Sequence, residues 1–274
     1  MRASWQVKNL PHIFSESSIM FRIFVILALS VSTPANCFSQ DTKTKDGPAQ
    51  EMKSAQTAHA LEVEKDTKIQ FLKYLPENYS KAGKKWPLMI FLHGRGESGD
   101  ELEIVKRWGP PRIVESKPDF PFVLISPQCP DGSKGHNTKH IKKLIDDTIK
   151  NHNIETDRVY LTGLSMGGYG SWKLAAEHPD FFAAVAPICG GGKPKTAEKL
   201  KDVSIWAFHG DKDSVVPLSQ TTNITDAIKE AGGKKIKVTI YEEVGHNSWQ
   251  KAYADQELYK WLLSHKRKSK AKGN

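Results

Sequence analysis

A serine enclosed by glycines ends an apolar run in the middle of the chain. The stretch "LTGLSMGGYGSW" places Ser165 between Gly163 and Gly167. A serine hydroxyl attacks a carbonyl carbon only when a neutral imidazole accepts its proton and a carboxylate orients that imidazole. The two glycines allow a strand to turn sharply into a helix and to expose the serine. The chemistry that this pattern favours is acyl transfer, with Ser165 as the nucleophile.

A histidine and two acids follow Ser165 along the chain, at the ends of later apolar runs. The run "VSIWAFHG" leads into Asp211 and Asp213, and His246 follows the run "KIKVTIYEE". Parallel strands bring their carboxyl ends to one edge of a sheet, so these side chains can converge on the serine. We therefore predict His246 as the general base and one of the two aspartates as its acid. His209, inside a strand end, is predicted to be a structural hydrogen-bonding residue.

The elements that must position these residues alternate along the chain from residue 61 onward. Apolar runs predict an antiparallel pair of strands followed by six further strands, at 61–76, 86–94, 120–128, 158–165, 182–191, 203–211 and 235–243. Apolar residues at helical spacing predict helices at 142–152, 166–179, 220–233 and 253–266. This alternation indicates an α/β fold with a mostly parallel, twisted sheet and helices on both faces. The connection at 190–201 is too short for a large lid.

Four motifs together resemble the α/β-hydrolase superfamily: "HGRGESG", "GLSMGGYGSW", "FHGDKDSVVP" and "VGHNSW". Within it they are similar to the compact secreted esterases of the poly(hydroxybutyrate)-depolymerase-like, feruloyl-esterase-like and phospholipase/carboxylesterase groups, and to the catalytic domain of prolyl oligopeptidases. The resemblance covers residues 61–264 and implies the α/β-hydrolase fold. It also implies that the acid is Asp213, the second aspartate of "GDKD", while Asp211 orders the turn.

A tetrahedral intermediate at Ser165 needs preorganised hydrogen-bond donors. The N–H of Met166, directly after the nucleophile, is one predicted donor of this oxyanion hole. The loop after the first buried strand is expected to supply the second, with the N–H of Arg95 as the first candidate and that of Gly96 as the alternative. Trp249, close behind the histidine in sequence, and Gly96 are expected to line the substrate pocket.

The amino-terminal residues have the pattern of a secretory signal. Arg22 precedes an apolar run that is too short to span a bilayer, which needs ~20 apolar residues, and small residues follow it. Met20 is an alternative start, and the small residues place cleavage after Ala35 or Ser39. The residues before Cys37 make a poor lipid-attachment signal, so a lipid anchor there is disfavoured. The sequence thus predicts an exported protein, periplasmic or secreted, without stable membrane insertion after cleavage.

Composition divides the chain into four parts. They are a signal region (1–39), a polar linker (40–60), an α/β-hydrolase catalytic domain (61–265) and a basic tail (266–274). The formal net charge is +9, but the tail carries five of these charges and the signal region a net of two. The catalytic domain and linker are therefore nearly neutral, and we predict no nucleic-acid partner.

No metal-ligand spacing, nucleotide-binding loop or cofactor motif occurs in the sequence, so neither a metal nor a cofactor is expected. Cys129 and Cys189 follow different predicted strands. The strand order that the resemblance implies keeps those strands apart, so both cysteines are expected to be unpaired thiols.

The resemblance implies an exported serine carboxylic-ester hydrolase that uses a Ser-His-Asp triad and an acyl-enzyme intermediate. Its expected partner is a small-molecule or polysaccharide-linked ester. Two alternatives stay open: a serine peptidase of the prolyl-oligopeptidase type, and a non-catalytic binding protein on a hydrolase fold. The sequence does not fix the acyl specificity or the oligomeric state.

Overall fold

Eight strands form one sheet in the computed structural model, which describes residues 55–80 and 83–267. The strands are β1 (Gln56–Glu64), β2 (Thr67–Tyr74), β3 (Trp86–Leu92), β4 (Val123–Pro127), β5 (Ile154–Leu164), β6 (Ala184–Ile188), β7 (Ile205–Gly210) and β8 (Ile236–Tyr241). Their order across the sheet is β1-β2-β4-β3-β5-β6-β7-β8. The pairs β1–β2 and β2–β4 are antiparallel and the others are parallel. The mostly parallel sheet predicted from the sequence is confirmed.

Helices connect most of these strands. In the described ranges they are α1 (Gly109–Val114), α2 (Thr138–Asn151), α3 (Met166–Glu177), α4 (Ala197–Leu200), α5 (Ser219–Glu230), α6 (Trp249–Ala254) and α7 (Gln256–Ser264). Short 3₁₀ helices lie at Arg95–Glu97, Leu102–Arg107, Pro194–Thr196 and His246–Ser248. The 3₁₀ helices Arg95–Glu97 and His246–Ser248 are the next elements after β3 and β8. They therefore lie at the edge of the sheet where functional residues are expected.

Side chains of the central strands alternate between two apolar layers. In β3, Leu88 and Ile90 lie in one layer and Met89 and Phe91 in the other, all of them almost fully buried. Helices α2, α3 and α5 cover the first layer, and α1, α6 and α7 cover the second. Burial on both faces explains why these strands are apolar throughout instead of alternating with polar residues. The helices predicted on both faces of the sheet are confirmed.

The fold begins earlier than the sequence pattern indicates. Strand β1 starts at Gln56, within the segment that was expected to be linker. The side chain of Gln56 is buried, and its amide donates a 2.8 Å hydrogen bond to the carbonyl oxygen of Pro111. Most other residues of this edge strand are exposed or half-buried. An edge strand with one solvated face carries too few apolar residues to be recognised from its sequence.

The carboxyl-terminal helix also differs from its prediction. Instead of one helix over 253–266, α6 ends at Ala254 and α7 begins at Gln256. Asp255 separates them, and its carboxylate accepts the backbone N–H of Glu257 at 2.9 Å. Aspartate favours this capping position because its side chain satisfies an N–H that the first helical turn leaves free. The break therefore follows from a capping residue inside an otherwise continuous apolar pattern.

The first residues of the predicted basic tail contact the catalytic fold. Lys266 lies 2.9 Å from Glu155, and Arg267 lies 3.3 Å from Asp157. The tail beyond 267 lies outside the described residues. The predicted signal region and most of the predicted linker also lie outside them. Within the part of the chain that is described, no helix combines the length and apolar character needed to cross a membrane.

Cys129 and Cys189 are both buried and both free. Cys129 comes shortly after β4 and Cys189 directly after β6, and strands β3 and β5 lie between these two in the sheet. The prediction of two unpaired thiols is confirmed for these residues. Cys37 lies outside the described residues.

Candidate active site

Ser165 occupies a sharp turn between β5 and α3. Its backbone angles are φ 51° and ψ −114°, which is a strained conformation for a residue with a side chain. Although Ser165 stands at the capping position of α3, its side chain makes no capping hydrogen bond. Its hydroxyl lies instead 2.9 Å from Nε2 of His246. The strained turn therefore places the Ser165 hydroxyl beside the imidazole of His246, and the hydroxyl does not cap α3.

The glycines around Ser165 are required by the close approach of other backbone segments. A Cβ added at Gly163 would lie 2.5 Å from the carbonyl oxygen of Gly167, and one at Gly167 would lie 1.9 Å from that of Leu92. Neither backbone segment can move without disturbing β3 or the turn itself. The spacing of glycines that pointed to a nucleophile in the sequence is thus a packing requirement of the strand-to-helix turn.

Replacing Gly167 with alanine is expected to lower the free energy of unfolding by more than about 3 kcal/mol, because the new methyl group overlaps backbone atoms of β3. Urea unfolding followed by circular dichroism measures this change. Gly96→Ala is the matched control, since nothing lies within 4 Å of a Cβ at Gly96 and its free energy of unfolding should change by less than about 0.5 kcal/mol. Equal stabilities of the two variants would contradict this account of the turn.

His246 and Asp213 complete a continuous hydrogen-bonded relay with Ser165. Nδ1 of His246 lies 2.8 Å from Oδ2 of Asp213, while Nε2 faces the serine hydroxyl. His246 begins the 3₁₀ helix after β8, and Asp213 lies in the turn after β7. Asp211 is exposed, and its backbone N–H donates to the carbonyl oxygen of Tyr241. Of the two aspartates left open by spacing alone, the one beside the histidine is Asp213.

The carboxylate of Asp213 is fully buried and has four close polar partners. Oδ1 accepts the backbone N–H groups of Val215 and Val216 at 3.0 and 2.9 Å. Oδ2 lies within 2.8 Å of a ring nitrogen of His246 and 3.2 Å of one of His209. These contacts fix the orientation of the carboxylate and hence that of the imidazole it supports.

The loop after β3, for which the second oxyanion donor is predicted, reaches the groove beside Ser165. Arg95 and Gly96 are both exposed in the 3₁₀ helix that begins there, and Arg95 lines the same groove as Ser165 and Met166. Glu97 is buried, and its Oε2 accepts the backbone N–H of Gly94 at 3.1 Å. Burial raises the pKa of Glu97. This buried acid was not predicted from the sequence. Its hydrogen bond to Gly94 fixes the loop that carries Arg95.

Two buried histidines form hydrogen bonds to the same loop and its surroundings. Nδ1 of His93 donates to the carbonyl oxygen of Gly94 at 2.6 Å, and its Nε2 accepts the N–H of Cys129 at 3.0 Å. Nε2 of His136 donates to the carbonyl oxygen of His93 at 2.9 Å. Burial lowers the pKa of His93, and burial lowers the pKa of His136 to about 3. Both rings are therefore neutral and act as hydrogen-bonding supports.

Ser165 opens into a groove of about 960 Å³. Its walls include four basic side chains and a single acidic one, which are Arg95, Lys134, Lys139, Lys173 and Glu177. The basic side chains are exposed, and among the described residues only Lys173 of these four forms an ion pair, with Glu177 at 3.9 Å. The walls of the groove consequently carry an excess of positive charge, which favours polar or anionic substrates.

Trp249 packs against His246 and is not among the residues that line this groove. Its ring centroid is 5.3 Å from that of His246, in an edge-to-face arrangement, and 6.1 Å from that of Trp108. Trp249 and Trp108 line a separate hollow together with Tyr253. The tryptophan ring thus packs against the imidazole. It does not line the groove at Ser165, where the sequence predicts it.

Metal ligation has no structural basis in the described residues. No group of three or more His, Cys, Asp or Glu side chains in that part of the chain is arranged to hold a metal ion.

The fold and the serine-bearing turn define the class to which this chain belongs, the α/β-hydrolases. A thermostable esterase of known crystal structure superposes with a TM-score of 0.67 and 31% sequence identity, over 78% of this chain and 64% of that one. An acylaminoacyl peptidase from Pyrococcus horikoshii superposes with a TM-score of 0.61 and 15% identity, over 82% and 44%. The second likeness concerns the fold alone.

Within this class the chain belongs to the dienelactone hydrolase family, which matches residues 131–269. It is 49% identical over 139 residues to poly(3-hydroxyalkanoate) depolymerase C of Paucimonas lemoignei, covering 45% of this chain and 31% of that protein. It is 28% identical over 153 residues to a bifunctional acetylxylan esterase/xylanase of Neocallimastix patriciarum, covering 54% and 22%. The chain spans less than half of the length of these curated relatives. Several relatives are named as esterases, so the chain is a hydrolase-family protein with esterase relatives.

Proposed function

We propose that this protein hydrolyses carboxylic esters through an acyl-enzyme intermediate, with Ser165 as the nucleophile, His246 as the general base and Asp213 as its acid. The observation that supports this most strongly is the unbroken relay, with 2.9 Å between serine and histidine and 2.8 Å between histidine and aspartate. Distances of this length allow direct proton transfer in the resting site. The alternative of a non-catalytic binding protein gives no reason for a strained serine whose hydroxyl faces an imidazole.

The proposed reaction moves one proton in each half. His246 takes the hydroxyl proton while the Ser165 oxygen bonds to the ester carbonyl carbon. The backbone N–H groups of Met166 and Arg95 then stabilise the negative oxygen of the tetrahedral intermediate. Collapse of this intermediate breaks the bond to the alcohol, which leaves with the proton from His246. Water, activated by the same histidine, hydrolyses the acyl-enzyme and regenerates the serine.

The proposed substrates are small-molecule or polysaccharide-linked esters. The basic side chains around the groove at Ser165 support this class, because they offer positive charge and hydrogen bonds to a hydrated substrate. Relatives named as an acetylxylan esterase and as feruloyl esterases support it from the family side. Export to the periplasm or the medium, proposed from the amino-terminal signal pattern, would bring the enzyme to such polymers.

A parallel assay of esters and amides tests this proposal. The purified protein should hydrolyse p-nitrophenyl acetate and butyrate and methyl ferulate, while a p-nitroanilide of the prolyl-peptidase type stays intact. The reason is that an alcohol leaves from a tetrahedral intermediate more easily than an amine does, and the alternative peptidase rests on likeness of fold alone. Hydrolysis of the anilide at a rate comparable to that of the esters would select the peptidase, and turnover of neither would select the binding protein.

A further inference from the structure

His209 is a fully buried histidine that contacts the carboxylate of the triad. Its Nε2 lies 2.8 Å from the carbonyl oxygen of Val216 and 3.2 Å from Oδ2 of Asp213. Its Nδ1 lies 2.8 Å from the hydroxyl of Thr221, which is in turn 2.6 Å from the carbonyl oxygen of Gly190. Both ring nitrogens therefore have partners, and the chemistry of those partners determines where the protons lie.

These contacts require two protons on the ring. A carbonyl oxygen can only accept, so the single hydroxyl proton of Thr221 is directed at Gly190. Nδ1 of His209 must then carry a proton to donate to the Thr221 oxygen. Nε2 faces a carbonyl and a carboxylate oxygen, which are both acceptors, so it carries a proton too. A neutral ring would leave one short contact between two lone pairs in a dry site, at a cost of about 1–3 kcal/mol.

The buried charge of Asp213 gives a second, independent reason. A fully buried carboxylate needs a compensating positive charge as well as hydrogen bonds. Among the described residues its ion-pair partners are His209 and His246. His246 must be neutral at rest, because only then can it accept the proton of Ser165. The charge that offsets Asp213 in the resting site is therefore carried by His209.

The thiol and the phenol near this carboxylate, those of Cys189 and Tyr169, are uncharged at neutral pH. Burial raises the pKa of the Cys189 thiol to about 12. Burial, together with the negative charge of Asp213, raises the pKa of Tyr169. Asp211, in the same turn, is exposed to solvent and its carboxylate is hydrated. No basic side chain in the described residues forms an ion pair with Asp213 apart from the two histidines.

We propose that His209 is an imidazolium that positions Asp213 and sets the basicity of His246. This inference rests on the proposed function, because it assigns a role within the triad. When His246 accepts the serine proton, a second positive ring forms on the same carboxylate, and repulsion from His209 disfavours it. His209 therefore keeps His246 unprotonated, and the base available, at a lower pH than Asp213 alone would allow. It also favours return of the proton to the leaving alcohol.

Nuclear magnetic resonance of the ring nitrogens tests the charge directly. In nitrogen-15-labelled protein at pH 7.5, both nitrogens of His209 should resonate in the protonated range, each with a bonded hydrogen, and His209→Gln assigns the signals by their loss. One nitrogen in the unprotonated range would overturn the proposal. This measurement requires no activity, so it stands or falls separately from the ester-hydrolase function.

The pH dependence of kcat/KM tests the role. In His209→Gln the neutral amide replaces a positive ring, so the acidic limb should move to higher pH by about one unit, a tenfold loss at a fixed pH on that limb. Thr221→Val, which removes the acceptor for Nδ1–H, should move the limb in the same direction, and Thr221→Ser, which keeps the acceptor, should not. A uniform loss of kcat at every pH, with the limb in place, would show that His209 is only structural and would overturn the proposed role.

Discussion

Ser165→Ala is expected to lower kcat for ester hydrolysis by at least about 10⁴-fold and to abolish covalent labelling by a fluorophosphonate. The reason is that the only hydroxyl within hydrogen-bond reach of His246 in the described residues is removed, so that no acyl-enzyme forms. The fold should persist, because the Ser165 side chain makes no capping bond to α3. Assays of p-nitrophenyl acetate hydrolysis measure the loss of kcat, and mass spectrometry of the labelled protein measures the loss of labelling.

Ser264→Ala serves as the matched control for this experiment. Ser264 is an exposed serine at the end of α7, and its hydroxyl donates to the carbonyl oxygen of Trp261 and lies 3.2 Å from Nδ1 of His265. This variant should retain full activity and full labelling. Undiminished labelling of Ser165→Ala at a different serine would show that the nucleophile has been assigned incorrectly.

Asp213→Asn is expected to lower kcat by about 10⁴-fold, whereas Asp211→Asn should change it by less than about twofold. Asparagine presents an amide N–H or a neutral oxygen to Nδ1 of His246, so it either imposes the wrong tautomer or fails to stabilise the imidazolium that forms during attack. Asp211 is exposed and lies away from the ring, so the same change of charge there leaves the relay intact.

The two variants differ by the same atoms and lie two residues apart, which makes them a matched pair. Thermal unfolding of both distinguishes loss of activity from loss of folding. A larger loss of kcat in Asp211→Asn than in Asp213→Asn would exclude Asp213 as the acid of the triad.

Sequence reasoning predicted the sheet and the residues at its edge because both depend on local patterns. Strands buried on both faces are apolar throughout, and Ser165, Asp213 and His246 each follow one of them, so topology alone brings the three together. The strand-to-helix turn was visible as glycine spacing because backbone crowding at Gly163 and Gly167 tolerates no side chain.

The features that sequence reasoning missed depend on partners far away in the chain. The hydrogen bond from the Gln56 side chain to Pro111 explains why β1 starts within a polar segment. No local sequence pattern predicts that contact. The position of the Trp249 ring is likewise set by Trp108, which is distant in sequence. Glu97 offered a weak signal, since an acid three residues after a glycine is a capping pattern, but its burial could not be read from the sequence.

The placement of Cys129 and Cys189 protects both thiols from pairing and from oxidation. Neighbouring strands lie about 4.8 Å apart, so the strands before Cys129 and Cys189 are separated by roughly 14 Å, while a disulfide requires Cα atoms within about 7 Å. Burial raises the pKa of both thiols, so the thiolate, which is the form that oxidants attack, is scarce. Cys129 and Cys189 therefore cannot form a disulfide with each other in this fold, and burial slows the oxidation of either thiol.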